Sequence, residues 1–224
     1  AADRIRERFA AEGKTAVCYG MGNGLDDVKK ASSVEKNIVA APAALEAAKY
    51  LERTYGTPYE IGYPLVDELV RDMDYQGKKV LVVQQQVTGN AIREEILKKA
   101  PDAQVTVASW FMMKPELRRD EDLHLRDEED YIKLVETGPY DVIYADPCMA
   151  RMTPKFEGVF VDTVHFAVSG KLVTVEAAKD SKELKEPGKL KESKKTREVK
   201  EPGKQGGHDH CDYDRMNPMG EAYE

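Results

Sequence analysis

Continuous apolar runs alternate with amphipathic stretches over most of the chain, and this alternation predicts strands and helices in turn. Residues 80–83 are only valine and leucine, as in a parallel strand that is covered on both faces. Similar runs occupy residues 105–109, 141–145 and 159–162, and the segments between them have helical spacing. The pattern therefore predicts an α/β fold that contains a doubly wound, Rossmann-like parallel sheet.

The first third of the chain shows the same alternation in a less complete form. A helix is predicted at residues 43–55, because its apolar residues recur on one face, and Gly56 provides a natural end for it. The other predicted elements are strands at 14–19 and 37–40 and short helices at 26–33 and 64–73. Cys18 lies within the strand pattern of residues 14–19, which predicts a position in the core.

These elements divide the chain into three parts. Residues 1–74 are predicted to form an incomplete α/β unit. Residues 75–178 are predicted to form a complete Rossmann-like unit, with helices at 91–100, after a turn at 88–90, and at 127–137. Residues 179–224 carry many charges, and the sequence at 182–189 is repeated closely at 197–204. Such a segment cannot bury enough apolar surface to offset its ordering entropy, so a disordered tail is predicted.

The composition limits the classes of partner. Hydrophobic residues make up 41% of the chain and the net charge is −7, so we expect a globular protein without a nucleic-acid partner. No apolar run reaches the roughly 20 residues that cross a membrane, so no membrane partner is expected. The cysteines lie far apart, which favours the cytoplasm over an oxidising compartment. The chain begins without methionine, and we expect it to be a piece of a longer protein.

Polar residues follow the predicted strands of the second unit, at the edge where doubly wound sheets bind their ligands. Four loops, at residues 84–90, 109–111, 146–148 and 162–169, are therefore expected to converge on one crevice. The candidate residues for binding a substrate or cofactor there are Gln86, Thr88, Asn90, Trp110 and Ser169. Their polar groups suit a polar ligand or a partner backbone, and a polar loop in water is the alternative.

His165 is the candidate catalytic residue. It is the one histidine in these four loops, and imidazole can act as acid, base or metal ligand near neutral pH. The alternative is a histidine whose ring is satisfied by backbone at a strand end. Cys148 is a candidate metal ligand through its thiolate, or else a partly buried packing residue.

Two further segments have patterns that occur in ligand-binding sites. His208, His210 and Cys211 form a candidate metal site for zinc, nickel or copper, although no fold is predicted around them, which favours incidental metal affinity. The glycines of residues 20–24 follow a predicted strand, where a phosphate can bind. Their G-x-G-x-G spacing fits neither standard nucleotide-binding motif and favours a tight turn.

Several short segments in a fixed order resemble a known family. They are residues 37–39, 45–51, 55–59, 77–80 and 141–143, Asp146-Pro147, and residues 165–170. In their order and spacing, over residues 14–171, the chain resembles the nitrogenase component 1 superfamily, which includes the dark-operative reductases of the chlorophyll pathway. The resemblance implies a subunit or fragment of a nitrogenase-like oxidoreductase.

The resemblance also implies cofactors and partners. An ATP-dependent iron protein would deliver electrons, and a second component 1-type subunit would pair with this chain as a heteromer or homomer. An iron–sulfur cluster of the full complex would pass the electrons to a small-molecule substrate. The ligands of that cluster are implied to lie mostly outside this chain.

One departure from the family changes the expected substrate. In nitrogenase, the loop that matches Ala40 and Ala41 carries the cysteine that ligates the metal cofactor, and alanine cannot replace that ligand. His165 matches the region of the cofactor histidine with an offset of one residue. Nitrogen fixation is therefore not expected, and the chain is predicted to act on another substrate.

Two alternatives to a reductase subunit stay open. One is a non-catalytic scaffold or carrier for a metal cluster or a small ligand, which the alanines at 40 and 41 favour. The other is a plain ligand-binding α/β domain whose repeat-bearing tail recruits a partner.

Overall fold

Helices and strands alternate along the part of the chain that the computed structural model describes, residues 2–19 and 24–169. The helices are α1 (Ala2–Ala11), α2 (Leu25–Lys29), α3 (Leu45–Tyr55), α4 (Val66–Leu69), α5 (Gln86–Lys99), α6 (Glu128–Thr137) and α7 (Phe166–Ser169). The strands are β1 (Asn37–Val39), β2 (Tyr59–Ile61), β3 (Lys79–Val83), β4 (Gln104–Ser109), β5 (Leu123–His124), β6 (Val142–Ala145) and β7 (Val159–Asp162). The predicted α/β class is confirmed.

The larger sheet has five strands in the order β5-β4-β3-β6-β7, and every neighbouring pair is parallel. The chain starts at the central strand β3, moves outward through β4 and β5, and then returns to the other side of β3 for β6 and β7. The order therefore reverses between β3 and β6, which makes this position the switch point of the sheet.

Helices cover both faces of this sheet because alternate side chains of β3 point in opposite directions. Val82 belongs to one buried cluster with Ile92 of α5, whereas Leu81 belongs to a second cluster with Tyr131 of α6. All four side chains have no exposed surface. The prediction of a doubly wound sheet is thus confirmed, with one helical layer on each face.

Helix α5 begins earlier than the sequence pattern predicts, and the turn predicted at residues 88–90 is wrong. The side chain of Gln85 caps the helix by accepting a hydrogen bond from the backbone N–H of Val87 at 2.5 Å. Gly89 lies inside the helix, where a Cβ atom would come within 2.6 Å of Cγ1 of Val107. Glycine therefore allows a close approach of α5 to β4 rather than a turn.

The first seventy residues contain a smaller sheet, in which β1 and β2 pair in parallel. Helix α3 follows β1 and ends as predicted at Gly56, whose φ of +73° is in the left-handed region that favours glycine. The strand predicted at residues 14–19 is wrong: a strand needs a paired edge, and this segment lines a cavity beside β1 instead. Cys18 is accordingly half-buried rather than in the core.

The two sheets lie on either side of residue 74 in the sequence, and the domain boundaries at 74 and 178 stay predictions. The charged repeat tail, residues 179–224, lies outside the described residues. Within residues 2–19 and 24–169, no helix combines the length and the apolar character needed to cross a bilayer.

Candidate functional site

The candidate site is a crevice at the carboxyl edge of the five-stranded sheet, around its switch point. Each of the four predicted loops contributes to its rim, through Gln84, Ser109, Trp110, Phe111, Asp146 and His165. Val83, Met149 and Val168 complete the lining with apolar side chains. The predicted convergence of these loops is confirmed, because the carboxyl ends of parallel strands meet at one edge.

His165 is held at both its backbone and its ring. Its backbone N–H donates to the Asp146 carboxylate at 2.9 Å, and its Nδ1 accepts a hydrogen bond from the backbone N–H of Ala167 at 3.2 Å. Because Nδ1 is an acceptor, the proton of the neutral ring lies on Nε2. Burial lowers the pKa of His165 below its ordinary value of 6.5, against a smaller opposing effect of the Asp146 charge. Near neutral pH the crevice therefore contains a neutral imidazole that can donate from Nε2.

This environment predicts a specific titration of His165. The NMR signal of its Cε1–H should titrate with a midpoint below 6.5, the value at which the unfolded chain takes up the proton. Between the native pKa and 6.5, the unfolded state binds more protons at this histidine than the native state does. The free energy of unfolding should therefore decrease as the pH falls through this range. His165→Gln should remove that component of the pH dependence. A midpoint at or above 6.5 would contradict the buried neutral ring.

An aromatic ring closes the crevice over His165. The rings of Phe111 and His165 stack with their centroids 4.2 Å apart and their planes at 12°. Trp110 forms the neighbouring wall, and its indole N–H donates to the carbonyl of Asp127 at 2.8 Å. The crevice encloses no space large enough for a water molecule. Phe111 lies in a predicted loop, but no sequence signal distinguished it from its neighbours.

Gln86 and Asn90 lie away from the crevice lining and hold the β4–β5 loop, residues 110–122. The amide of Gln86 donates to the carbonyl of Lys114 at 3.0 Å and accepts from its N–H at 2.7 Å. Asn90 donates to the carbonyl of Leu117 at 2.8 Å. Thr88 is buried on the same helix. Both amides thus bind backbone of this chain, and the ligand-binding roles of these three residues stay predictions.

A buried ion pair continues this polar stripe of α5. Arg93 contacts both carboxylate oxygens of Asp122, at 2.5 and 3.0 Å, and it also donates to Asn90. Asp122 further accepts from the backbone N–H groups of Val107 and Arg119, at 3.1 and 2.9 Å. The β4–β5 loop is therefore fixed at its far end by a charged pair with almost no exposure.

Cys148 lies outside the crevice lining, two residues after Asp146, and its backbone N–H donates to that carboxylate at 3.0 Å. Burial raises the pKa of the Cys148 thiol, and the Asp146 carboxylate raises it further. The neutral thiol is thus favoured over the thiolate that binds metals. Its role as a metal ligand stays a prediction, as does the role of Ser169, the last residue of α7.

A second cavity, of about 720 Å³, lies between α1, residues 14–19 and residues 34–41. Ala40 and Ala41 form part of its wall, so it adjoins the loop that the family resemblance singles out. The side chain of Gln85 connects that loop to the start of α5, because its amide donates to the carbonyl of Ala40 at 2.7 Å while it caps the helix. The sequence shows three successive glutamines but not which of them makes this contact.

The described residues do not fit an iron–sulfur cluster, which needs several thiolates in one place. Across residues 2–19 and 24–169, no three His, Cys, Asp or Glu side chains form a group that could hold a metal ion. Cys18 lines the larger cavity, whereas Cys148 packs against the hydrophobic cluster on the α6 face of the large sheet. His208, His210 and Cys211 lie outside the described residues, as does the glycine loop at 20–23.

Comparison with known proteins finds similarity to solved structures only. No family model and no curated protein matches the chain. A solved structure, nitrogenase Cp1 at pH 6.5, aligns with a TM-score of 0.44 and 16% sequence identity. The alignment covers 69% of this chain and 44% of the nitrogenase chain, so this chain spans less than half the length of that protein. Membership of the nitrogenase component 1 superfamily stays a prediction from the sequence.

Proposed function

We propose that this chain is a subunit, or a piece of one, of a nitrogenase-like oxidoreductase that reduces a small molecule bound at the crevice. The observation that supports this function most directly is the convergence of four loops around a neutral His165 at the switch point of the sheet. The ordered sequence segments from residue 37 to residue 170 support the choice of reaction class.

His165 would act as a hydrogen-bond donor in this function. Reduction places negative charge on the substrate, and a neutral imidazole with its proton on Nε2 can stabilise that charge without first losing its own proton. Asp146 holds the backbone of His165 in place. The electrons would come from an ATP-dependent iron protein through a second component 1-type subunit, with any iron–sulfur cluster held outside the described residues.

The alternative is a non-catalytic scaffold or carrier. The 720 Å³ cavity beside Ala40 and Ala41 favours it, because its largely apolar wall offers the volume of a typical ligand site without a cluster of metal ligands. A carrier would transfer its ligand without turnover.

Iron and acid-labile sulfide content, with EPR, would distinguish these functions. The measurement uses anaerobically purified protein, both as this chain and as any longer native form. Iron and sulfide in the longer form alone would support the reductase subunit and assign this piece to the substrate side. Their absence from both forms would contradict electron transfer and leave the carrier.

A further inference from the structure

The stacked ring of Phe111 makes the crevice a site that is filled by the protein's own side chain. The ring lies nearly parallel to the His165 imidazole, with 4.2 Å between the centroids. It is half-buried, and it belongs to the same lining as Val83, Met149 and Val168. The site thus already accommodates one flat, apolar ring, which is that of Phe111.

The hydrogen bonds around Phe111 do not involve its ring: its backbone N–H donates to Oγ of Ser109 at 3.1 Å, and the two flanking residues have anchors of their own. Trp110 on one side is anchored to Asp127, and Lys114 on the other is held at both its N–H and its carbonyl by the Gln86 amide. Between these anchors lie three residues, and the middle one, Met112, is 55% exposed. Rotation of the Phe111 side chain toward solvent therefore leaves the two anchors intact.

We propose that the crevice binds a small, uncharged compound with a single flat ring, which displaces Phe111 and stacks on His165 in its place. A flat ring is required because the two planes differ by only 12°, so a puckered ring of the same size cannot lie as close to the imidazole. An uncharged ligand is expected because the apolar side chains of Val83, Met149 and Val168 disfavour a charge of either sign. Phe111 is the gate of this site.

This inference rests on the proposed function only in placing the ligand at the crevice. It concerns binding, so it can be tested without metals, electrons or a partner. Binding of a ring compound without any iron would support this proposal and contradict the redox function. Iron and sulfide without ring binding would support the redox function and contradict this proposal.

The test is a titration of the full chain with benzamide, followed by tryptophan fluorescence. Trp110 is the single tryptophan of the chain and lies in the crevice wall, so it reports binding directly. Cyclohexanecarboxamide is the matched puckered ligand. We expect benzamide to bind weakly to the native chain and at least tenfold more tightly to Phe111→Ala. The variant lacks the competing ring, so all of its molecules have an open crevice that can bind the ligand. Met112→Ala, a change at the exposed neighbour, should stay within twofold of the native chain.

Two outcomes would overturn the proposal. One is that Phe111→Ala binds benzamide no more tightly than the native chain does. The other is that cyclohexanecarboxamide binds Phe111→Ala as tightly as benzamide does, which would indicate a cavity left by truncation rather than a stacking site. Thermal unfolding checks that the variant is folded. If Phe111→Ala does not fold, Phe111→Val replaces it, because valine keeps a smaller apolar side chain and still removes the competing ring. His165→Leu in the same background should abolish the preference for the flat ring.

Discussion

Replacing Asp122 by alanine should lower the free energy of unfolding by about 3–5 kcal/mol, the loss typical of removing one partner from a buried ion pair. Asp122 has no exposed surface and accepts two hydrogen bonds from the Arg93 guanidinium, at 2.5 and 3.0 Å. Without the carboxylate, the charge of Arg93 loses its buried counter-ion, and the backbone N–H of Val107 loses its acceptor. Urea denaturation of the variant against the native chain measures the loss.

Glu121 provides the matched control for this prediction. It adjoins the same guanidinium at 3.8 Å, but half of its side-chain surface is exposed, so water screens the pair. Glu121→Ala should therefore cost less than about 1 kcal/mol. Equal losses for the two variants would show that the Arg93–Asp122 pair does not hold the β4–β5 loop in the way its geometry indicates.

Replacing Gly89 by alanine should also destabilise the protein, by about 1–3 kcal/mol, as overpacking of a core does. Alanine favours helix over glycine by about 1 kcal/mol, so helix propensity alone predicts the opposite sign. The packing decides the result, because the added Cβ would come within 2.6 Å of Cγ1 of Val107, at the contact between α5 and β4. The midpoint of thermal unfolding gives the direction directly.

A double substitution isolates the cause of that loss. Val107→Ala removes the methyl groups that the new Cβ would meet, so Gly89→Ala combined with Val107→Ala should be less unstable than the two separate losses predict. Gly62→Ala is the control, because a Cβ there meets nothing within 4 Å. Strict additivity in the double variant would rule out the close contact as the reason for glycine at position 89.

The sequence predicts the large sheet well because its strands are continuous apolar runs. Residues 80–83 and 142–145 are buried on both faces, so every position is apolar and the pattern is unambiguous. The start of α5 could not be predicted in the same way, since it depends on the Gln85 side chain and on the approach of Val107, which is distant in sequence. The short strand β5 has two residues, too few for any periodicity to appear.

The same distinction applies to the candidate site. The position of the crevice follows from the strand order, so His165 and Trp110 could be placed at it from the sequence. Gln86, Asn90 and Arg93 recur at spacings of four and three, which indicates one polar helix face. Nothing in that spacing identifies its partner, the β4–β5 loop, and so these amides were expected at the crevice instead.

The two walls of the crevice differ in rigidity. Asp146 holds one of them in place, and the side chain of Phe111 forms the other. The Asp146 carboxylate accepts hydrogen bonds from the backbone N–H groups of Cys148 and His165, so it holds the loops after β6 and β7 together. Phe111 lies across the crevice from these loops, in the short segment between the hydrogen-bonded residues Trp110 and Lys114. The proposed opening of the crevice is therefore expected to be a local event of nanoseconds to microseconds rather than a domain motion of milliseconds. Ligand capture at this site is accordingly expected to be limited by diffusion and fit, and not by slow reorganisation of the fold.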